Sequence, residues 1–159
     1  MELKKCRNCK SSDLKKLFSL GNQSFTGKFI KKSKNVKKAY INLAICKKCK
    51  LVQLKDKYSL KYMYGPDYGY RTGVNRTMTN HVKSVTKYLS KICKLKKGDH
   101  VLDIASNDGT LLNSYNKSIV TFGIDPILAK YKKFYKKINF YSNNFFSKQK
   151  VLLKTKKKI

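Results

Sequence analysis

Four cysteines constrain this chain more than any other feature. Cys6-Arg7-Asn8-Cys9 and Cys46-Lys47-Lys48-Cys49 are two C-x2-C pairs with residues 10–45 between them. Each pair offers two thiolates from one tight turn, and four thiolates complete the tetrahedral shell that structural zinc prefers. In a chain expected to stay in the cytoplasm, paired knuckles of this kind argue for metal over disulfides. Thioredoxin-like chemistry would need one C-x-x-C opening a helix after a strand, a context neither pair has. Lysines beside both pairs favour the thiolate form. Cys6, Cys9, Cys46 and Cys49 are therefore predicted to hold one structural Zn2+ in a closed site with no open position for catalysis. The fifth cysteine, Cys93, falls on the apolar face of a predicted helix and is expected to be an ordinary buried thiol.

Three regions follow from the pattern around the knuckles. Residues 1–57 form the predicted zinc lobe, with strand-like runs at 39–45 and 51–54. Residues 58–97 begin as a loop rich in Tyr and Gly, including Tyr68 and Tyr70, and continue as a helix over 76–93 capped by Asn75. Met78, Val82, Val85, Tyr88, Leu89, Ile92 and Cys93 recur at steps of three and four on one face, as in a helix packed on a sheet. From residue 98 the pattern becomes strand (100–105), helical start (110–112), strand (119–124), helix (127–137) and strand (138–141). That alternation opens a parallel α/β sheet.

Charge sets limits on partners. The chain carries 38 Lys+Arg against 8 Asp+Glu, a formal balance of +30. Such an excess ordinarily points to nucleic acid or an anionic surface. Only Arg7, Arg71 and Arg76 are arginine, however, whereas phosphate and base readers lean on its bidentate fork. The lysines are spread through every segment, apart from a basic tail at 154–158. Nucleic acid is thus expected to bind only nonspecifically and in a salt-dependent way, although a zinc-containing polyanion-binding module is the alternative reading. No apolar run reaches the eighteen or so residues of a membrane span. Met1-Glu2-Leu3-Lys4-Lys5 does not open a secretory signal, so no membrane association is expected.

The C-terminal pattern also outlines a ligand site. The stretch from Asp103 to Gly109 lies where an open α/β sheet turns backbone amides toward a ligand, with small residues at Ala105 and Gly109. Asp125 ends the next strand, at a spacing suited to ribose hydroxyls. The loop is not G-x-G-x-x-G, so an adenosine ligand without a pyrophosphate fits better than a dinucleotide. A strand–turn–helix with no ligand would share the pattern.

The order of the motifs adds to this. Two knuckles are followed by Asp67-Tyr68-Gly69-Tyr70, Met78 and His81. Val101-Leu102-Asp103-Ile104-Ala105-Ser106-Asn107-Asp108-Gly109-Thr110 comes next, then Gly123-Ile124-Asp125-Pro126 and Phe145-Phe146-Ser147. The chain resembles the zinc-binding sugar C-methyltransferases, which use S-adenosylmethionine to methylate a carbon of nucleotide-linked deoxy-keto-sugars. The resemblance implies an α/β chain, with a small N-terminal zinc-binding lobe followed by the first half of a Rossmann-like class I methyltransferase domain over 98–159. It implies that Asp103, Ala105, Asn107 and Gly109 line the methionine and ribose part of the cofactor. Asp125 would take the ribose hydroxyls, with Pro126 and Phe145 flanking the adenine. Tyr68, Tyr70 and His81 are the implied catalytic or substrate-placing residues, and a nucleotide-sugar is the implied substrate.

Two features depart from that family. Residues 98–159 supply three strands where a complete domain of this class has about seven. The Asn-Val-x-x-His segment that carries the family's base region has no counterpart. The chain is accordingly expected to be an N-terminal fragment, with a second polypeptide completing the domain.

Overall fold

The computed structural model describes residues 2–25, 36–65 and 67–149. Pro66, part of the Tyr/Gly-rich loop, and the basic tail at 150–159 lie outside them. The chain divides into two units, Met1–Gly69 and Tyr70–Ile159, so segment 58–97 is shared between them.

The first unit is an antiparallel sheet in the order β1 (Leu14–Ser24), β2 (Lys38–Cys46), β3 (Val52–Leu54), followed by the single turn α1 (Leu60–Met63). The strand-like runs at 39–45 and 51–54 are β2 and β3. β1 is a strand the sequence does not announce. Its pairing with β2 shifts register between Lys16 and Phe18 and again between Ser19 and Asn22, which breaks the alternation that marks a half-buried strand. β2 runs directly into the second knuckle, so the C-x2-C turn is also the link from β2 to β3. The N-terminus docks beside it, with Leu3 N–H donating to the Lys55 carbonyl at 2.7 Å and Glu2 paired with Lys55 at 2.6 Å. Among the described residues of this unit, only Cys6, Ala44, Cys46 and Gln53 are buried.

The second unit contains α2 (Arg76–Ile92), β4 (His100–Ile104), β5 (Val120–Ile124), α3 (Leu128–Tyr131) and β6 (Phe140–Ser142). The three strands are parallel, in the order β4-β5-β6. This mixed helix-and-strand unit matches the predicted strand positions. α2 forms because residues 76–92 contain neither Gly nor Pro and because Asn75 Oδ1 accepts the Met78 N–H at 3.0 Å, an N-cap bond. Its contact stripe is narrower than predicted. Val82 and Thr86 are buried, whereas Tyr88, Ile92 and Cys93 are exposed. Cys93 is therefore not the buried thiol the periodicity suggests: it is the C-cap, one position past the last helical residue.

The two other predicted helices are shorter than expected. A 3-10 turn at Leu112–Ser114 replaces the first, and α3 continues only as a 3-10 turn at Lys132–Phe134. The core of this unit is Leu112, Leu128, Tyr135 and Ile138, with Phe122 and Ile124 of β5 in a separate cluster. β5 is buried along nearly its whole length, while β4 is only half-buried and ends in the exposed Ile104.

Candidate functional site

Each unit carries one candidate site. In the first, both knuckles adopt the same geometry. The Lys10 N–H donates back to the Cys6 carbonyl and the Lys50 N–H to the Cys46 carbonyl, at 3.2 and 2.8 Å. Lys10 and Lys50 sit at φ 62° and 61°, in the left-handed region that costs a side-chain-bearing residue about 1–2 kcal/mol. The turns close all the same, and they bring four sulfurs together. Cys6 Sγ lies 3.6 Å from Cys49 Sγ, and Cys9 Sγ lies 3.6 Å from Cys46 Sγ. All four lie within 4.8 Å of one another. A tetrahedron with Zn–S bonds of about 2.3 Å has edges of about 3.8 Å, so a cluster with these separations fits the donor set of a zinc ion. The Leu51 N–H holds the Cys49 thiol down to about 6. The Ser11 N–H favours the Cys9 thiolate as well, but burial and the three neighbouring sulfurs push that thiol up to about 11. A dication at their centre would favour all four thiolates.

In the second unit the candidate site is the loop after β4. Ala105 and Asn107 have φ of 64° and 50°, and Gly109 follows at 73°. Three left-handed residues in five turn the main chain sharply away from the strand. Gly109 is required there, since a Cβ would lie 2.5 Å from Ile138 Cδ1. Asp125, at the end of β5, fixes the loop from the next strand. Its Oδ2 accepts the Asn107 N–H at 2.9 Å and its Oδ1 accepts the Ile127 N–H at 2.8 Å. Burial raises the Asp125 pKa against the opposing pull of those two N–H groups. Burial, and then the Asp125 charge, push Asp103 up to about 6. Asp103, Asp108 and Asp125 are three of only eight acidic residues in the whole chain, and all three belong to this end of the parallel sheet.

Residues 70–74 form a strap across the loop. Asn107 Oδ1 accepts the Thr72 N–H at 3.0 Å and faces the Thr72 hydroxyl at 3.3 Å, while Asn107 Nδ2 donates to the Tyr70 carbonyl at 3.1 Å. The Tyr131 hydroxyl donates to the same carbonyl at 3.1 Å. Asp108, fully buried, accepts the Gly73 N–H at 2.9 Å and two bonds from Thr110, and pairs with Arg71. Gly73 permits this approach, since a Cβ there would meet Thr110 Oγ1 at 2.6 Å. Beneath the loop, the Tyr135 hydroxyl donates to the Asn107 carbonyl at 2.9 Å and bonds Ser106 Oγ at 2.8 Å.

Not every predicted residue joins this cluster. Asp103, Ala105, Asn107, Gly109 and Asp125 share one loop region, but the Asn107 side chain is committed to the strap. Pro126 is half-buried beside Asp125, and Phe145 is exposed past β6. Tyr70 anchors the strap through its carbonyl and keeps an exposed ring. Tyr68 belongs to the first unit, its ring 5.5 Å from that of Tyr64. His81 is exposed on the second turn of α2. Sequence reasoning missed Arg71, Thr72, Tyr131 and Tyr135 as organisers of the loop. Only the scarcity of arginine could have singled out the first, and a tyrosine's hydrogen-bond partner is invisible in a linear pattern.

No curated protein matches the chain. Residues 6–64 match the family model Methyltransf_13, described as a "Putative zinc binding domain", and that span contains all four clustered cysteines. Over residues 6–64 the chain is thus similar to a methyltransferase-associated zinc-binding domain, and its four clustered cysteines lie within that span.

Proposed function

We propose that the chain is the zinc-binding and cofactor-binding part of an S-adenosylmethionine-dependent methyltransferase acting on a carbon of a nucleotide-linked keto-deoxysugar. One observation carries the reading: a chain of charge +30 gathers three of its eight carboxylates at the end of a parallel sheet, around a loop with three left-handed residues. Carboxylates gathered in this way at a strand end suit a cationic or polyhydroxyl ligand. The parallel order β4-β5-β6 with its site at the strand ends is consistent with the first half of a Rossmann-like domain.

When bound, the cofactor supplies an electrophilic methyl group on a sulfonium. The residues have distinct tasks in this reading. Asp103 receives the ammonium of the methionine part. Asp125 keeps one lone pair on each oxygen for ribose hydroxyls after accepting its two backbone N–H groups. Ala105 and Gly109 let the ligand approach the main chain, and Pro126 and Phe145 border the adenine. Asn107 acts through its strap contacts. Tyr68, Tyr70 and His81 remain the candidates for placing the acceptor sugar, whose carbon must be deprotonated next to a ketone and aligned with the methyl. A second polypeptide pairing with the half-buried β4 is the partner that would complete the sheet.

Calorimetric titration of the zinc-loaded chain with S-adenosylhomocysteine tests the proposal. Stoichiometric binding, weakened at least about tenfold in the isosteric variant Asp125→Asn, is expected. No binding by the wild-type chain would refute it.

A further inference from the structure

Arg71 stands out against the composition of the chain. Of 38 basic residues only three are arginine, so lysine is the default cation here and a half-buried guanidinium needs a reason. Arg7 has an evident one: its Nη2 bridges the carbonyls of Leu54 and Asp56 at 3.3 and 3.2 Å. Arg71 has no such bonds. Its guanidinium stacks on the Phe134 ring, 4.2 Å from the centroid. Its Nε is shut off from water and reaches Asp108 Oδ2 only at 3.5 Å, with no hydrogen-bond partner. Asp108 Oδ1 is taken by two bonds from Thr110, and its Oδ2 accepts the Gly73 N–H. The planar fork is therefore held in place by a ring face and a buried carboxylate, while its N–H donors make no hydrogen bond among the described residues.

The surroundings indicate what it holds. Arg71 lies in the strap, beside Thr72, which bonds Asn107. The Asn107 N–H in turn bonds Asp125. The guanidinium thus pairs with Asp108 of the loop, and its strap is fastened to the Asn107 that bonds Asp125. We propose that Arg71 is the carboxylate receptor of this site: it takes the α-carboxylate of the cofactor's amino-acid portion through its planar fork, leaving the ammonium to Asp103. This rests on the cofactor reading above. A guanidinium matches a carboxylate bidentately where an ammonium offers only a point charge, which accounts for arginine in a lysine-dominated chain. The role also explains why a strap from outside the sheet is fastened by so many bonds, since an anion receptor must be held rigidly to be selective.

The test compares two probes on the full zinc-loaded chain, S-adenosylhomocysteine and 5′-methylthioadenosine, which keeps the adenosine but lacks the amino-acid portion. In Arg71→Gln, affinity for S-adenosylhomocysteine is expected to fall about 10- to 100-fold, the range for a lost charge-assisted bond. Affinity for 5′-methylthioadenosine is expected to stay unchanged, which also reports that the variant is folded. Arg71→Lys is expected to lie between, keeping charge and losing the fork. Equal weakening of both probes would reduce Arg71 to a prop for Phe134 and Asp108, and no weakening of either would remove it from the site. Should Arg71→Gln not fold, the wild-type chain decides: decarboxylated S-adenosylhomocysteine is expected to bind at least about tenfold more weakly than the parent, and equal binding overturns the assignment. A wild-type chain that binds neither probe would refute the cofactor reading itself, and this inference with it.

Discussion

Stripping the metal from the first unit should unfold that unit and leave the second standing. The magnitude follows from what is buried there. Of its described residues only Cys6, Ala44, Cys46 and Gln53 are inside; two are ligands and one is polar. Burying one alanine side chain and two thiols contributes about 1–3 kcal/mol. A structural zinc on four thiolates contributes on the order of 10 kcal/mol or more, comparable to the whole stability of an ordinary domain. Two left-handed lysines, Lys10 and Lys50, add strain that the metal must offset. Without it, nothing of similar size holds β1, β2 and β3 together. A thiol reagent combined with limited trypsin digestion reads the change. With zinc bound, Cys93 alone is both unligated and exposed, so one thiol should react quickly; after treatment with a strong chelator all five should. Trypsin should then cut within residues 4–57 while β4, β5 and β6 stay protected. Fast reaction of only one thiol in demonstrably metal-free protein, or unchanged protection of β1 and β2, would refute the reasoning.

Four further outcomes follow from the loop. Ala105→Gly should raise stability by about 0.5–1 kcal/mol, seen as a higher Tm, because a left-handed alanine costs about 1–2 kcal/mol and glycine returns part of that as chain entropy; Ala105 is exposed, so little packing is lost. Gly109→Ala should lower stability by about 2–4 kcal/mol in denaturant titration, combining the φ of 73° with a Cβ 2.5 Å from Ile138 Cδ1. Asp103 has a folded pKa of about 6 against an ordinary 3.8, so the folded chain binds more protons between those values. The stabilisation this gives is fully present below about pH 4 and is lost as pH rises through 6. Asp103→Asn should therefore remove that slope and raise stability at pH 7 by an amount on the order of 3 kcal/mol, read from urea titrations at pH 4, 5, 6 and 7. In the same window, affinity of the wild-type chain for S-adenosylhomocysteine should increase with pH, because the ammonium requires ionised Asp103.

The parts legible in the sequence share a physical property: they are short-range. Two C-x2-C turns fix their own sulfurs, and the 36-residue-scale gap between them only has to bring the knuckles together. Val120–Ile124 reads as a strand because Val120, Phe122 and Ile124 fall in a short β-branched and aromatic run, and it is buried on both faces. Asn75 announces α2 because a cap needs only its own next three residues. What stayed hidden depends on distant partners. The bulged β1 takes its register from β2, and exposed Leu17, Phe18 and Leu20 break its alternation. Helices expected after β4 and β5 shrink to single turns, with Asp108, Asn113 and Tyr135 bonded to distant Gly73, Phe134 and Asn107 instead of along a helix. Asn107 reads as a ligand contact from its motif, yet its amide faces Thr72 and Tyr70, 35 and 37 residues earlier in the chain. Periodicity placed Cys93 inside, but a residue at the helix end escapes the stripe it nominally extends.

The most direct test of the whole account is native mass spectrometry of the purified chain with S-adenosylhomocysteine added. The expected mass is that of one chain, one zinc ion and one ligand, with Asp125→Asn retaining the zinc and losing the ligand. A chain that carries no zinc would contradict the metal centre. A zinc-loaded wild-type chain that never takes up the ligand would contradict the methyltransferase reading of its second unit.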